Sequence, residues 1–546
     1  MTRLRDIVIA AALCAVAAAL PAEELELTNF IDEPRPPEPS VDANGERSLL
    51  DKESWVRGAD KEDVKWRFSQ NGKSVTFIRT AEKTKDASIW CNSANLDAFR
   101  GKESELVVVM DGWNVVRGWC ETNRWAGDRK PPGPRDFTPV SFNFETKFST
   151  YASWHTPDFD FFPDGTYTNL ELVIPFCYPS DGTKFGINLR ACCESGHVTY
   201  KKVYVRESKT KYMDKFMPLP EGFRCEYTDK VLKAGPMRGI VAGCGCTVTE
   251  YEKIRGWGCN LIRFWMNPDT EGDFEKTDAL LPELERLGLR VILAPATPGP
   301  RMKDTSYKLF NDDELYNRYI ENWRRVAEHY KGDERIFAFD LMNEPFQPLR
   351  KKVEDKYNFL AVQFEAAKAI REIDPDRVLI ASATGGSSPG NYNTCDMRPL
   401  PLKDVIYQMH FYAPFFLTHA GLYGTKLDPD TTYPGAEKRG RVWTKQLLSG
   451  LMDTMNDFSD RWGARFYVGE FSYMSIQPGA AQWLDDVADL LDQRGWIWTF
   501  HSYGEFYGWN LESIRDAETG KLRNIKDGET TDRLEVMKKH WAKNWE

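Results

Sequence analysis

The sequence predicts an α/β protein: a (β/α)8 (TIM) barrel over residues 237–546, preceded by an all-β sandwich of jelly-roll type over residues 51–208. Three observations carry this. From Met237 onward, short apolar runs alternate with stretches whose apolar residues recur every three or four positions. Ahead of them, residues 51–208 show no helical period, only short β-branched and aromatic runs punctuated by Gly, Pro, Asp and Asn. Two of the later apolar runs end in a carboxylate, at Glu344 and Glu470, where a charge at the edge of a core needs a partner.

Taken in order, residues 1–22 read as a secretory signal. Arg3 and Arg5 precede the apolar stretch Ile7–Leu20, and Leu20-Pro21-Ala22 offers a small residue for cleavage. The stretch is too short for a membrane span. Residues 23–50 are polar and Pro-rich, an extended tail or linker. In residues 51–208 the strand candidates are Ser74–Ile78, Leu106–Met110, Val140–Phe144, Leu170–Pro175, Phe185–Leu189 and Val198–Val205. The pair Lys184–Arg190 and Tyr200–Val205 resembles the last two strands of jelly-roll carbohydrate-binding modules. Trp113, Trp119 and Trp125 are either sugar-stacking rings or core there. Residues 209–236, broken by Pro218 and Pro220, form a connector.

The barrel strands are expected at Arg238–Gly243, Asn260–Trp265, Arg290–Pro295, Ile336–Met342, Arg377–Ser382, Val405–Phe411, Arg465–Glu470 and Trp496–His501. Each is apolar enough to be buried on both faces, as a parallel barrel requires. The first helix is expected to open with a capping box at Thr249-x-x-Glu252. The second carries Leu280, Leu281, Leu284 and Leu287 before Gly288, and the third starts at Asp312 or Asp313 and stops by Gly332. Later helices follow from Phe359/Val362/Ala366/Ile370, Leu447/Leu451/Met455/Phe458, Trp483/Leu484/Val487/Leu491 and Leu534/Met537/Trp541. A doubly wound open sheet is the structural rival, but no Gly-rich phosphate loop follows the first strand.

The length of 546 residues implies two or more domains, and a net charge of -10 argues against a general nucleic-acid binder. Of 11 cysteines, Cys14 falls in the leader and leaves an even ten, which fits an oxidising compartment. Zinc spacing is absent, so disulfides or buried thiols are expected and neither a metal nor any other cofactor.

In such a barrel the C-terminal strand ends form the active face. They carry Arg263, Asn343, Glu344, His410, Tyr412, Glu470 and His501, with Trp498 inside the eighth strand. Glycosidic cleavage needs one protonated carboxyl for the leaving oxygen and one ionised carboxylate for the anomeric centre. Arg263 can hold a carboxylate ionised, Tyr412 can hydrogen-bond to the same group, and Asn343 can donate to a sugar 2-hydroxyl.

Asn343-Glu344-Pro345, His410-x-Tyr412 and Gly469-Glu470-Phe471, with Gly256-x-Gly258-x-Asn260-x-Ile262-Arg263, resemble the signature of glycoside hydrolase family 5, the cellulase family. His410-Phe411-Tyr412-x-Pro414 with Thr418-His419 is similar to some of its bacterial endoglucanases. The likeness runs over roughly residues 237–515. It implies Glu344 as acid/base, Glu470 as nucleophile and retention of anomeric configuration. Two departures stand out. The family usually places a His at the end of the third strand, where Ala296 stands here. It also stacks a Trp under the sugar at the eighth strand, where either Trp498 or His501 is available.

The expected function is a secreted (extracellular or periplasmic) retaining endo-β-1,4-glycanase. Its partner is a plant poly- or oligosaccharide: cellulose or another β-glucan first, then mannan, xyloglucan or xylan. No nucleic-acid partner and no membrane span are expected. The alternatives are a transglycosylase using the same residues and a non-catalytic carbohydrate-binding protein that retains the barrel. The long loop Ala413–Arg441 and Trp443 either line the cleft or cover it.

Overall fold

In the computed structural model the described residues fall in two regions. Strands and one short helix are described between 46 and 207. Residues 212–546 follow, except 216, 271, 302–306, 347–354, 394–396, 439–440, 516–521 and 527. In the first region, Glu46–Ser48, Trp55–Arg57, Val64–Phe68, Val75–Arg79, Ala87–Cys91, Glu103–Trp125, Gly165–Cys177 and Lys184–Glu207 make an eight-stranded sheet. All its pairings are antiparallel, and Glu103–Trp125 lies along Lys184–Glu207 over most of both. Expected strand Val140–Phe144 lies outside the described residues, as do the leader and tail. Trp113 is half-buried and stacks on His197, centroids 6.5 Å apart, while the side chains of Trp119 and Trp125 are outside the description.

The second region closes into a barrel of eight parallel strands, which disposes of the open-sheet alternative. The strands are β1 (Arg238–Gly243), β2 (Leu261–Met266), β3 (Arg290–Pro295), β4 (Ile336–Asp340), β5 (Val378–Ser382), β6 (Val405–Phe411), β7 (Phe466–Phe471) and β8 (Ile497–Phe500). They pair in sequence order, with β8 returning to β1. The main helices are α1 (Val248–Gly256), α2 (Asp273–Arg286), α3 (Asp313–His329), α4 (Phe359–Ile373), α5 (Lys445–Trp462), α6 (Ala480–Gln493) and α7 (Asp532–Ala542). Among the described residues between β5 and β6 stand one helical turn, Thr384–Ser387, in which Gly385 and Gly386 take left-handed φ of 65° and 71°, and a short 3-10 helix, Pro389–Asn393. A helix cannot propagate through two such residues.

The period of two along each strand sorts the core into two layers. Leu261, Ile292, Ala338, Ile380, Ile406 and Tyr467 fill the barrel, whereas Ile262, Leu293, Leu379, Tyr407, Val468 and Trp498 face the helices. The connector plugs the barrel's lower end. Its one-turn helix Asp229–Leu232 buries Val231 beneath the inner layer, and Asp404 accepts from both the backbone N–H and the hydroxyl of Thr228.

The capping box of α1 is two residues earlier than expected. Thr247 caps the helix, and Glu250 reaches back to the Thr247 backbone N–H at 2.8 Å. The expected Thr249/Glu252 pair satisfies the same pattern but falls inside the helix. Cys225, Cys244, Cys246 and Cys259 are free thiols, and burial pushes the Cys225 and Cys244 thiols up to about 11.

Candidate active site

The barrel mouth opens into a cleft of about 670 Å3 that holds Glu344, Glu470, Asn343, His410, Tyr412 and His501. β2 supplies the floor. Arg263 is fully buried and divides its guanidinium between two acids. Nη1 donates to Glu470 Oε1 at 2.7 Å; Nε and Nη2 donate to Asp340 Oδ2 at 2.8 and 2.6 Å. Nη2 also donates to Asn343 Oδ1 at 2.9 Å. With its oxygen so engaged, Asn343 has its NH2 left to donate. The other oxygen of Asp340 accepts from Gln408 Nε2, which also donates to Ser382 Oγ at 2.7 Å. A buried cation between two carboxylates needs such satisfied geometry to be tolerated.

Strict alternation along β7 would send Glu470 outward with Val468. Instead the register against β6 shifts: Val468 pairs with Met409, and Glu470 with His410. This bulge re-aims Glu470 into the mouth. The extra residue is Gly469, where a Cβ would stand 2.3 Å from Gln408 Oε1 and 2.9 Å from His410 Nε2. Glycine is required there for close approach, not for backbone conformation. Glu344 follows β4 with a left-handed φ of 45°, uncommon for a residue with a side chain.

The two glutamates sit in different surroundings. Glu470 is 7 % exposed and Glu344 23 %. Burial works against charge on Glu470, but His410, His501 and Arg263, with the hydroxyl of Tyr412 donating at 2.9 Å, hold its carboxyl well below the ordinary range. His410 Nδ1 stands between the acids, 3.0 Å from Glu344 Oε1 and 3.5 Å from Glu470 Oε2. Oxygens of the two carboxylates and this nitrogen lie within 4.8 Å of one another. Three such donors could hold a cation, but Arg263 already supplies the positive charge that the buried acid requires.

His501 projects from the end of β8. Tyr412 has one hydroxyl proton, which goes to Glu470, so His501 Nδ1 at 3.1 Å must donate to the tyrosine oxygen. Its Nε2 faces Glu505 Oε2 at 3.0 Å. Both nitrogens therefore carry protons. Burial disfavours that cation, yet Glu470 and Glu505 raise the imidazole above its ordinary value, and His501 in turn lowers Glu505. Such a pair stabilises the fold from above the usual range of a free glutamate, near 4.5, up to the raised value of His501. It is lost as pH rises through that value. Glu505→Gln should lower Tm by roughly 2 °C at about pH 6, with the difference closing once pH has risen past the raised value of His501. Thermal melts across pH test this; an offset independent of pH would contradict it.

Trp498 corrects one expectation. It lies on the helix side of β8, its N–H donating to Asp492 at 3.1 Å and its ring against Phe471 and Trp541, and it is not at the cleft. His501, on the inward face, takes the position under the mouth.

A sequence model of the cellulase family, glycosyl hydrolase family 5, matches residues 241–506. Residues 241–506 belong to this family. Endoglucanase C of Acetivibrio thermocellus is 26 % identical over 231 residues, 37 % of this chain and 65 % of that protein, so the chain spans just under two thirds of it. Endoglucanase H of the same organism is 29 % identical over 202 residues, 35 % of this chain and 20 % of that protein. The structure of Thermotoga maritima Cel5A in complex with cellobiose is 19 % identical, covering 57 % of this chain and all of that one, with a TM-score of 0.46.

Several cleft residues of this family 5 domain go beyond those read from sequence. Asp340, buried beneath the cleft, is like Glu470 an acid within a buried strand, and that was a visible signal. Arg301, 3.6 Å from Glu344 Oε2, and Glu505 sit in loops with no local pattern to mark them. Loop Ala413–Arg441 does line the cleft: Phe415 stacks on His419 at 4.0 Å, with Tyr423 and Trp509 beside them. Trp443 is buried beneath it against Phe416. Burial pushes His419 down to about 4, so it serves as a neutral ring.

Proposed function

We propose that the barrel hydrolyses β-1,4-glycosidic bonds in a β-glucan by double displacement, with Glu344 as acid/base and Glu470 as nucleophile. The observation that carries this is the spacing of the two acids, whose oxygens approach within 4.8 Å. Retaining enzymes hold their carboxyls about 5–5.5 Å apart, whereas inverting ones leave roughly 6.5–9.5 Å for a water. In the first step Glu470 attacks the anomeric carbon while the bond to the leaving oxygen breaks and takes the Glu344 proton. In the second, Glu344 removes a proton from water, whose oxygen displaces Glu470 and restores the original configuration. Arg263 and Tyr412 keep the nucleophile ionised, and the Asn343 NH2 is the donor for the 2-hydroxyl. The endoglucanase names of the relatives support a β-glucan chain as substrate.

The same proposal takes residues 51–208 as a carbohydrate-binding-type module joined through 209–236 to the barrel domain 237–546. The basic, then apolar residues 1–22 support export. The deciding experiment is early-time 1H NMR of a cello-oligosaccharide digest. The β-anomer of the new reducing end should appear first and the α-anomer only by mutarotation. An α-anomer at first appearance would refute double displacement.

A further inference from the structure

We propose that Arg301 binds the sugar on the leaving side of the scissile bond, taking its vicinal hydroxyls in the fork of the guanidinium. The proposal rests on reading Glu344 as the acid.

Glu344 presents its two oxygens to different neighbours. Oε1 faces His410, and through it the nucleophile; Oε2 faces Arg301 Nη2 at 3.6 Å. The acid delivers its proton to the bridging oxygen, so a group on the side of Glu344 away from Glu470 adjoins the departing ring. Arg301 lines the cleft there and is 38 % exposed. Its guanidinium is held against two aromatic rings. The centre lies 4.8 Å from the ring of Tyr307 and 5.9 Å from that of Phe346, and Nη2 donates to the Tyr307 hydroxyl at 2.9 Å. Tyr307 is itself fixed, buried and donating to the carbonyl of Asn343 at 2.9 Å, with its backbone N–H on the carbonyl of Phe346. The tyrosine thus ties Arg301 to the segment that carries the acid.

A guanidinium has five N–H donors. Among the described residues, one goes to Tyr307, and the Glu344 contact is too long for a hydrogen bond. What remains is a preordered fork facing the cleft, suited to two adjacent oxygens on one ring. The ligand class is a neutral β-linked hexopyranose with vicinal hydroxyls. The residue stands five positions beyond Ala296, so the cleft wall after β3 regains a donor, directed at the leaving sugar.

The test compares two substrates in one enzyme. In Arg301→Met the stem can still pack on the two rings but the donors are gone. The kcat/KM for cellotetraose should fall roughly tenfold to a hundredfold, the loss expected for charged hydrogen bonds. Hydrolysis of a dinitrophenyl cellobioside, which has no sugar in the leaving position, should change less than twofold. Arg301→Lys should show the same selective loss, because an ammonium cannot span two hydroxyls. An equal fall on both substrates would mean that Arg301 acts through Glu344 or the fold and would overturn the proposal. So would a wild-type profile in either variant. Failure of the acid assignment would be seen separately, as full activity in Glu344→Gln.

Discussion

Glu470→Ala should lose roughly 10^4-fold or more of its kcat on cello-oligosaccharides, as deletion of a covalent nucleophile does elsewhere. The structure makes the expectation more specific. Removing the carboxylate leaves an anion-sized void lined by Arg263 Nη1 and the Tyr412 hydroxyl, which donate to Glu470 at 2.7 and 2.9 Å. A small anion such as azide or formate can occupy it and attack from the face that Glu470 used. Added azide should therefore restore part of the turnover, and the glycosyl azide should have inverted configuration, because only one displacement has occurred. Rescue with retention would assign the nucleophile elsewhere, and undiminished activity on every β-glycan would remove catalysis from this residue.

Glu344→Gln should cost about 10^2- to 10^4-fold on polysaccharide, the usual worth of a general acid. The amide keeps the side chain's size but cannot give up a proton. With a dinitrophenyl glycoside the leaving group needs no protonation, so the first step should proceed almost normally. The second step lacks its base, and the glycosyl-enzyme should accumulate as a burst of dinitrophenol followed by a slow steady rate. Stopped-flow absorbance shows which step is lost. Equal losses on both substrates without a burst would contradict the division of labour between the two acids.

Much of this site was legible from strand ends alone. A parallel barrel collects whatever terminates its strands, so a carboxylate closing an apolar run is conspicuous, and Glu344, Glu470, Arg263 and Tyr412 were found in that way. What stayed hidden has physical reasons. The choice between Trp498 and His501 is settled by alternation: Thr499 faces inward, donating to the Gly469 carbonyl at 2.6 Å, so His501 does too and Trp498 cannot. That rule was available but had no anchor until one inward residue was known. Along β7 the same rule would have misled, because the bulge at Gly469 breaks it. The helix cap slipped because Thr247 and Thr249 both precede a glutamate by three positions, and local pattern cannot rank them. Arg301 and Glu505 reach the cleft from loops, where spacing in sequence says nothing about direction in space.

The polar column from Arg263 through Asp340 and Gln408 to Ser382 has an evolutionary consequence. It occupies the upper part of an interior that is otherwise mostly apolar, and replacing buried ions by well-packed apolar groups often stabilises a fold by about 1–4 kcal/mol. Selection for heat resistance alone would therefore favour eroding this column, and an inactive descendant freed from its substrate should drift toward leucine and methionine at these positions. Intact polar residues there in a homologue are thus a sign that it is still under selection to work as a catalyst.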